Sequence, residues 1–314
     1  MITRSSHALA VLAVCLLVAC GLEAGDQFGL DDVREAALSF PAGRRPQLRL
    51  PDSTQRTLVA LTYDDGLYTQ RTQAAPQLDS LGLRGTFFLN SVEGREAVLG
   101  WRAIAAGGHE LANHSLFHPC PRSYGWPDGL ATEDYDSTRF LDELRTQHDL
   151  IGHVEGSARE QRSYAHPCNY HFVDTPAQST LPLLAASPLV DYGRTGGDRD
   201  ATLDPDTAYE PLAVPSWTVD EGASGAELIA FAELARARGG AAVYTFHGVG
   251  ADWLIVSREA HWALAEHLAQ HADRFEVVTF GDLARRMVPP EVPPAPPARV
   301  YDGPATYRPA RTTE

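Results

Sequence analysis

The stretch that most constrains the fold is Thr57-Leu58-Val59-Ala60-Leu61-Thr62-Tyr63-Asp64-Asp65-Gly66. From Leu58 to Tyr63 it is rich in β-formers and aliphatics, and hydrophobic and polar residues do not alternate. A strand apolar on both faces has to be covered on both, as in a central parallel strand with helices packed outside it. The run then stops at two adjacent carboxylates and a glycine. Hydrocarbon along the strand and charge at its carboxyl end is how a barrel strand reaches an active-site rim. Taken alone, the same residues also describe a surface Asp-Gly turn after an ordinary strand.

The pattern continues downstream. Further strands are expected at 85–90, 110–113, 162–165, 189–192, 212–217, 241–246 and 275–278. Helices are expected at 68–81, 101–106, 176–186, 226–238, 258–272 and 280–287, with another starting at Thr132, where Thr132 and Glu133 would cap it. This alternation argues an α/β chain, either a parallel sheet or a distorted β/α barrel in a single domain. Chemistry collects at four of the expected strand ends: Asp64-Asp65, His114…His118, His166-Pro167-Cys168 and His247-Gly248. In a β/α barrel such ends converge on one face. His114 and His118 are four apart, a spacing that lets both imidazoles reach one metal. With one carboxylate they form a ligand set suited to Zn²⁺ that leaves a coordination position open. The second carboxylate and His247 are then free to act as base and acid.

Other chemistries are excluded. The chain has no Gly-x-Ser-x-Gly elbow, which argues against a serine hydrolase, no phosphate-cradling glycine loop, and no lysine, which removes Schiff-base and Ser-Lys routes. The formal charge is 26 − 41 = −15. An acidic surface disfavours nucleic acid and anionic lipid as partners, whereas a neutral carbohydrate fits it.

The 314 residues, 44% of them hydrophobic, suit one large domain once the ends are set aside. Residues 1–20 read as an export signal: Arg4 supplies the positive end and 8–19 the short apolar core. Leu17-Val18-Ala19-Cys20-Gly21 resembles a bacterial lipobox, which implies lipidation of Cys20; a plain secretory signal cut nearby is the alternative. Either way the mature chain is expected outside the cytoplasm, in the periplasm or cell envelope. It would touch a membrane only through the anchor. Gly21 after Cys20, in place of Asp, points to the outer membrane if the cell is Gram-negative. Residues 21–54 read as a tether, 55–287 as the catalytic domain and 288–314 as a Pro-rich disordered tail. Cys15 and Cys20 belong to the leader, leaving Cys120 and Cys168. In an oxidising compartment these form a disulfide or stay as two buried thiols.

Thr62-Tyr63-Asp64-Asp65-Gly66 resembles the Thr-Phe-Asp-Asp-Gly motif of polysaccharide deacetylases, the NodB-homology domain of carbohydrate esterase family four. Asn113-His114-Ser115-Leu116-Phe117-His118 is similar to that family's His-Ser/Thr-x-x-His motif. Gly85-Thr86-Phe87-Phe88 looks like the strand between the two, and Phe246-His247-Gly248 like the fifth motif. The resemblance covers about 55 to 287. It implies a distorted β/α barrel and a divalent metal, most often Zn²⁺ with Co²⁺, Ni²⁺ or Mn²⁺ as alternatives, held by Asp65, His114 and His118. It assigns Asp64 as general base and His247 as general acid. The reaction implied is hydrolysis of an N- or O-acetyl group on a polysaccharide or oligosaccharide by metal-activated water. Ser115 is not a nucleophile on this reading; its hydroxyl is expected to fix the loop through a backbone bond.

Two departures stand out. The family's third motif carries an arginine that orients the catalytic aspartate, as Arg-Pro-Pro-Tyr-Gly. The equivalent stretch here looks like Ala165-His166-Pro167-Cys168-Asn169, with no arginine. On that alignment the backbone N–H of Cys168 is the oxyanion donor and His166 lines the pocket. A Cys120–Cys168 bridge would tie two active-site loops together. The fourth motif, an aspartate and tryptophan that tune the acid, is placed at Pro215-Ser216-Trp217-Thr218-Val219-Asp220. Trp126, Trp217 and Trp253 are expected either to stack on sugar rings or to pack in the core. His261, His267 and His271 are expected on a solvated helix face, with pocket lining as the alternative for His261. A carbohydrate-binding protein without turnover, or a hydrolase of another C–N or ester bond, remains as an alternative function.

Overall fold

The computed structural model describes residues 47–50 and 56–287. The expected leader with Cys20, most of the tether and the Pro-rich tail lie outside the described residues. Among those described, no helix is long and apolar enough to cross a membrane.

The strands are β1 (Thr57–Asp64), β2 (Thr86–Leu89), β3 (Glu110–Asn113), β4 (Arg162–Ala165), a short antiparallel pair β5 (Phe172–Val173) and β6 (Gln178–Ser179), then β7 (Val190–Gly197), β8 (Val214–Thr218), β9 (Ala242–Phe246) and β10 (Phe275–Val278). The helices are α1 (Ala75–Ser80), entered through a π turn at Gln70–Ala74, α2 (Gly94–Ala106), α3 (Ser137–Glu155), α4 (Leu181–Ala186), α5 (Gly225–Ala237), α6 (Arg258–Gln270) and α7 (Phe280–Arg286). In the large sheet every pairing is parallel. The order is β1-β2-β3-β4-β7-β8-β9, and β9 pairs back onto β1 to close a seven-stranded barrel. Strand β10 stands outside that ring. It takes the lower half of one edge of β1, from Thr57 to Ala60, while β2 takes the upper part from Thr62 to Asp64. This shared edge is the barrel's distortion.

All eight residues of β1 are buried. Alternate side chains serve two separate cores, which is why no polar alternation exists to be read. Leu58 and Ala60 cluster with Phe88, Ala112, Ala165, Val214 and Val243 inside the barrel. Val59, Leu61 and Tyr63 cluster with Phe87, Trp101, Phe231, Tyr244 and Leu264 between the strands and the helices.

Several expectations change. Helix α2 begins at Gly94, one turn and more before 101, and α4 is shorter than 176–186. Thr132 opens only a 3₁₀ turn; α3 starts at Ser137, where the Asp136 carboxylate accepts from the Arg139 N–H. The tether does not run to residue 54 as a free segment: Leu48 and Leu50 are buried, and Leu48 exchanges two backbone hydrogen bonds with Tyr209, each 2.8 Å. His261 is neither solvated nor pocket-lining. It is 1% exposed and locked between the Tyr63 hydroxyl and the Gln77 amide oxygen, both at 2.6 Å. The strand expected at 189–192 runs on to Gly197. Its glycines hid it, and they are there for close backbone approach: a Cβ on Gly193 would lie 2.2 Å from the Leu212 carbonyl oxygen.

Candidate active site

The barrel delivers the expected residues to one mouth. Asp64 is the last residue of β1, and Asp65 leaves the strand in the left-handed region at φ 76°. His114 follows β3 directly. The loop after it turns through Ser115 at φ 63° and returns His118 at φ 51°. Asp65 Oδ1 lies 3.6 Å from His114 Nε2 and 3.4 Å from His118 Nε2. One ligand atom from each of these three residues lies within 4.8 Å of the others. His114 Nδ1 donates to the Ala165 carbonyl at 2.9 Å, so its Nε2 presents a lone pair to the group.

Electrostatics match a cation. Burial pushes the His114 imidazole down to about 3 and lowers His118 as well, so both are neutral donors near pH 7. Burial, with the Asp64 charge beside it, raises Asp65 despite the opposing pull of His247. Two neutral imidazoles and a crowded carboxylate facing one point form a donor set that a divalent ion satisfies. The Trp253 indole N–H donates to Asp65 Oδ2 at 3.2 Å and holds that carboxylate from the rim. Trp126 stands 5.6 Å from the His118 ring.

Asp64 does not lack a partner. Arg194 of β7 reaches across the barrel and places Nη2 2.6 and 2.5 Å from the two Asp64 oxygens. Burial alone would raise Asp64, but the Arg194 charge, helped by His114 and His247, outweighs it and lowers the group. The Asp64 carbonyl is also bound by the Gln70 amide, which at 3.2 Å binds the His247 carbonyl too and so clamps the ends of β1 and β9. The sequence reading missed Arg194. Its only signal was a single charged residue among small ones in Tyr192-Gly193-Arg194-Thr195-Gly196-Gly197.

His247 follows β9, with Nε2 3.9 Å from Asp65 Oδ2. Its Nδ1 is buried and has no hydrogen-bond partner among the described residues. The fourth-motif placement therefore needs correction: Asp220 is exposed and pairs with Arg199 at 2.8 Å, not with His247. Trp217 is 1% exposed and packs on Phe231 and Tyr244, so it is a core residue and not a free stacking platform. It also borders a cavity of about 770 Å³ at the ends of β7 and β8, shared with Asn169, Gly196 and Thr218.

Cys120 and Cys168 form a disulfide. It joins the loop after His118 to the turn after β4, where Cys168 and Asn169 both sit in the left-handed region at φ 52° and 55°. Gly196 makes room for that turn, since a Cβ there would be 2.2 Å from the Asn169 side-chain nitrogen. His166 does not line the site. It is buried, with Nε2 2.8 Å from the Leu212 carbonyl. Ser115 fixes its loop through the Glu143 carboxylate at 3.1 Å, not through a backbone oxygen.

Residues 52–171 match the family model described as polysaccharide deacetylase, and that span holds Asp64, Asp65, His114 and His118. Over that span the chain is similar to polysaccharide deacetylases. It is 29% identical over 129 residues to a chitin deacetylase of Colletotrichum lindemuthianum, a match that spans 39% of this chain and about half (52%) of that relative. Solved structures similar to this chain include the Xyl-CE4 domain of a multidomain xylanase from the hindgut metagenome of Trinervitermes trinervoides (16% identity, TM-score 0.48, 74% of this chain and 91% of that one). A family 4 acetyl xylan esterase from Clostridium thermocellum, solved with a cobalt ion, is similar at 16% identity and TM-score 0.46, over 72% and 90% of the two chains. A CE4 family pseudoenzyme from Bacillus anthracis is similar at 13% identity and TM-score 0.45, over 73% and 66%.

Proposed function

We propose that this chain hydrolyses acetyl groups from a glycan, using a divalent cation, Zn²⁺ by preference, held by Asp65, His114 and His118. One observation carries the reading: two carboxylates and three imidazoles, brought by the ends of three parallel strands, face a single point at the barrel mouth. When bound, the cation would supply Lewis acidity, which makes a water held beside it far easier to deprotonate. Asp64, kept ionised by Arg194, accepts the proton of the attacking water. The Cys168 N–H is the donor proposed for the developing oxyanion, a contact worth about 3 kcal/mol. His247 returns a proton to the leaving amine or alkoxide.

The substrate class follows from charge and surface. A chain of net charge −15 without lysine favours a neutral glycan over an anionic one. Exposed aromatics, Trp253 and Phe117, stand on the loops that carry the site and offer faces to sugar rings. The test is acetate release from chitin oligomers, peptidoglycan and acetylated xylan, with added Zn²⁺ or with chelator, beside Asp64→Asn. Release that matches this control on every substrate rejects the hydrolase. One observation favours a second reading, a carbohydrate-binding protein without turnover: among the described residues His247 Nδ1 has no partner to orient the proposed acid. Binding of the same glycans without acetate release would select it. Release of a different acyl or amide product would select a hydrolase of another bond.

We further propose export and lipid anchorage at Cys20, supported by residues 17–21 of the sequence alone. Radiolabelled palmitate incorporation lost in Cys20→Ala tests it.

A further inference from the structure

We infer that Arg194 is the positioning residue of Asp64, and that it fills from β7 the role the third-motif arginine has in the family, whose place here is Ala165 on β4. The inference rests on the hydrolase reading for its kinetics but not for its geometry.

Three observations point to it. Arg194 is wholly buried, yet its guanidinium spans the barrel interior. Nη2 meets both oxygens of Asp64, and Nη1 donates to Ser216 Oγ at 3.1 Å and to Thr245 Oγ1. Ser216 is itself held by Thr195 and Thr245, at 2.8 and 2.7 Å. The cation thus sits on β8 and β9 while its own strand is β7, and the face of Phe88 lies 5.0 Å beneath it. A side chain tied to three neighbouring strands has one orientation to give the carboxylate on a fourth.

The second observation is register. In the parallel pairing of β4 with β7, Ala165 stands opposite Arg194. Residues opposite in register point to the same face, and Ala165 is part of the interior cluster. The two positions are therefore neighbours in one layer of the barrel. The third is volume. Ala165 is fully buried and contributes only a methyl group, which leaves the interior space that the Arg194 side chain occupies. An arginine at both positions would put two guanidinium groups at one carboxylate.

A purely structural ion pair is the competing account, because buried pairs are commonly no more stabilising than the apolar residues that could replace them. Kinetics and exchange separate the two. Arg194→Met should lower kcat about 100-fold or more while KM and Zn²⁺ affinity stay within about 3-fold. Ala165→Arg alone should also lower kcat, by crowding. Combining Ala165→Arg with Arg194→Ala should recover kcat at least about 10-fold over Arg194→Ala alone. Asp64→Asn and Asp64→Asn with Arg194→Met should share one residual rate, since a residue acting through Asp64 has nothing left to position. The Asp64→Asn pair also removes both buried charges together, which guards against misfolding of the single arginine variant. An Arg194→Met enzyme with kcat within about 3-fold of wild type overturns the inference, as does a folded exchange variant no better than Arg194→Ala. If wild type releases no acetate from any substrate, the hydrolase reading fails separately. Crystal structures of wild type and Arg194→Met then decide, and an Asp64 carboxylate that keeps its orientation without the guanidinium overturns the inference.

Discussion

Cys120 and Cys168, 48 residues apart in sequence, are bonded with their Cα atoms 5.7 Å apart. The bridge fastens the loop that returns His118 to the turn that presents the Cys168 N–H. Cys120 Sγ also lies 3.4 Å from His118 Nδ1, so the same sulfur backs a proposed metal ligand.

Breaking this bridge should cost both stability and metal affinity. Closing a loop of that length is worth about 4 kcal/mol in the chain-entropy model, with engineered changes often giving less. Cys120→Ser with Cys168→Ser should therefore lower the urea-unfolding free energy by about 2–4 kcal/mol. Zn²⁺ affinity, read by chelator competition, should fall with it because His118 loses its support. An unchanged affinity in the folded double variant would show that the bridge serves only the fold.

The proposed ligands and the proposed acid should separate cleanly. Asp65→Asn, His114→Ala and His118→Ala should each lose stoichiometric Zn²⁺ and the thermal stabilisation that Zn²⁺ confers. His247→Ala should keep both and lose about 10²- to 10⁴-fold in kcat. Metal analysis with differential scanning fluorimetry distinguishes the two groups. A His247→Ala protein that no longer binds metal would make His247 a ligand.

Trp253 is 56% exposed and joined to Asp65 through its indole N–H. Trp253→Phe keeps a ring and removes the donor, whereas Trp253→Ala removes both. Zn²⁺ affinity should weaken in both variants, by about 1.5 kcal/mol, the low end for a hydrogen bond to a charged group on a half-exposed residue. KM for glycans should rise clearly only in Trp253→Ala. A similar KM rise in both would mean that the ring makes no sugar contact.

Acid stability should be set in part by buried histidines. Burial lowers His261, and likewise His166, to about 4. Unfolded, each titrates near 6.5. Between those values the unfolded chain binds more protons than the native one, so stability rises with pH there. Each contribution is complete above about 6.5 and is lost as pH falls toward 4. His261→Gln should flatten the loss of unfolding free energy between pH 6.5 and 4, measured by urea titration at each pH. A slope equal to that of wild type would assign the acid sensitivity elsewhere.

Much of the site was legible because its signals are short-range. Asp64, Asp65, His114 and His247 each sit at or just past the end of an expected strand, and the His114–His118 spacing is a local fact. Misreadings came where burial is not local. His261 carries a polar side chain on a helix with two other histidines, so it looked solvated, yet the helix turns it onto Tyr63. Trp217 had two readings, sugar platform or core, and only the packing of its ring on Phe231 of α5 decides for the core. The missing third-motif arginine left the orientation of Asp64 open, because no rule of spacing links position 194 to position 64.

By itself the sequence determined the class of fold, the face on which chemistry collects and the donor types available there. These follow from hydrophobic periodicity and from residue identity at strand ends. Tertiary structure alone decided who holds Asp64, because that depends on barrel closure and on the register of β4 against β7. Register is set by packing of the whole interior, so an arginine 130 positions away can meet the carboxylate. The residue at the expected place, Ala165, serves by leaving room.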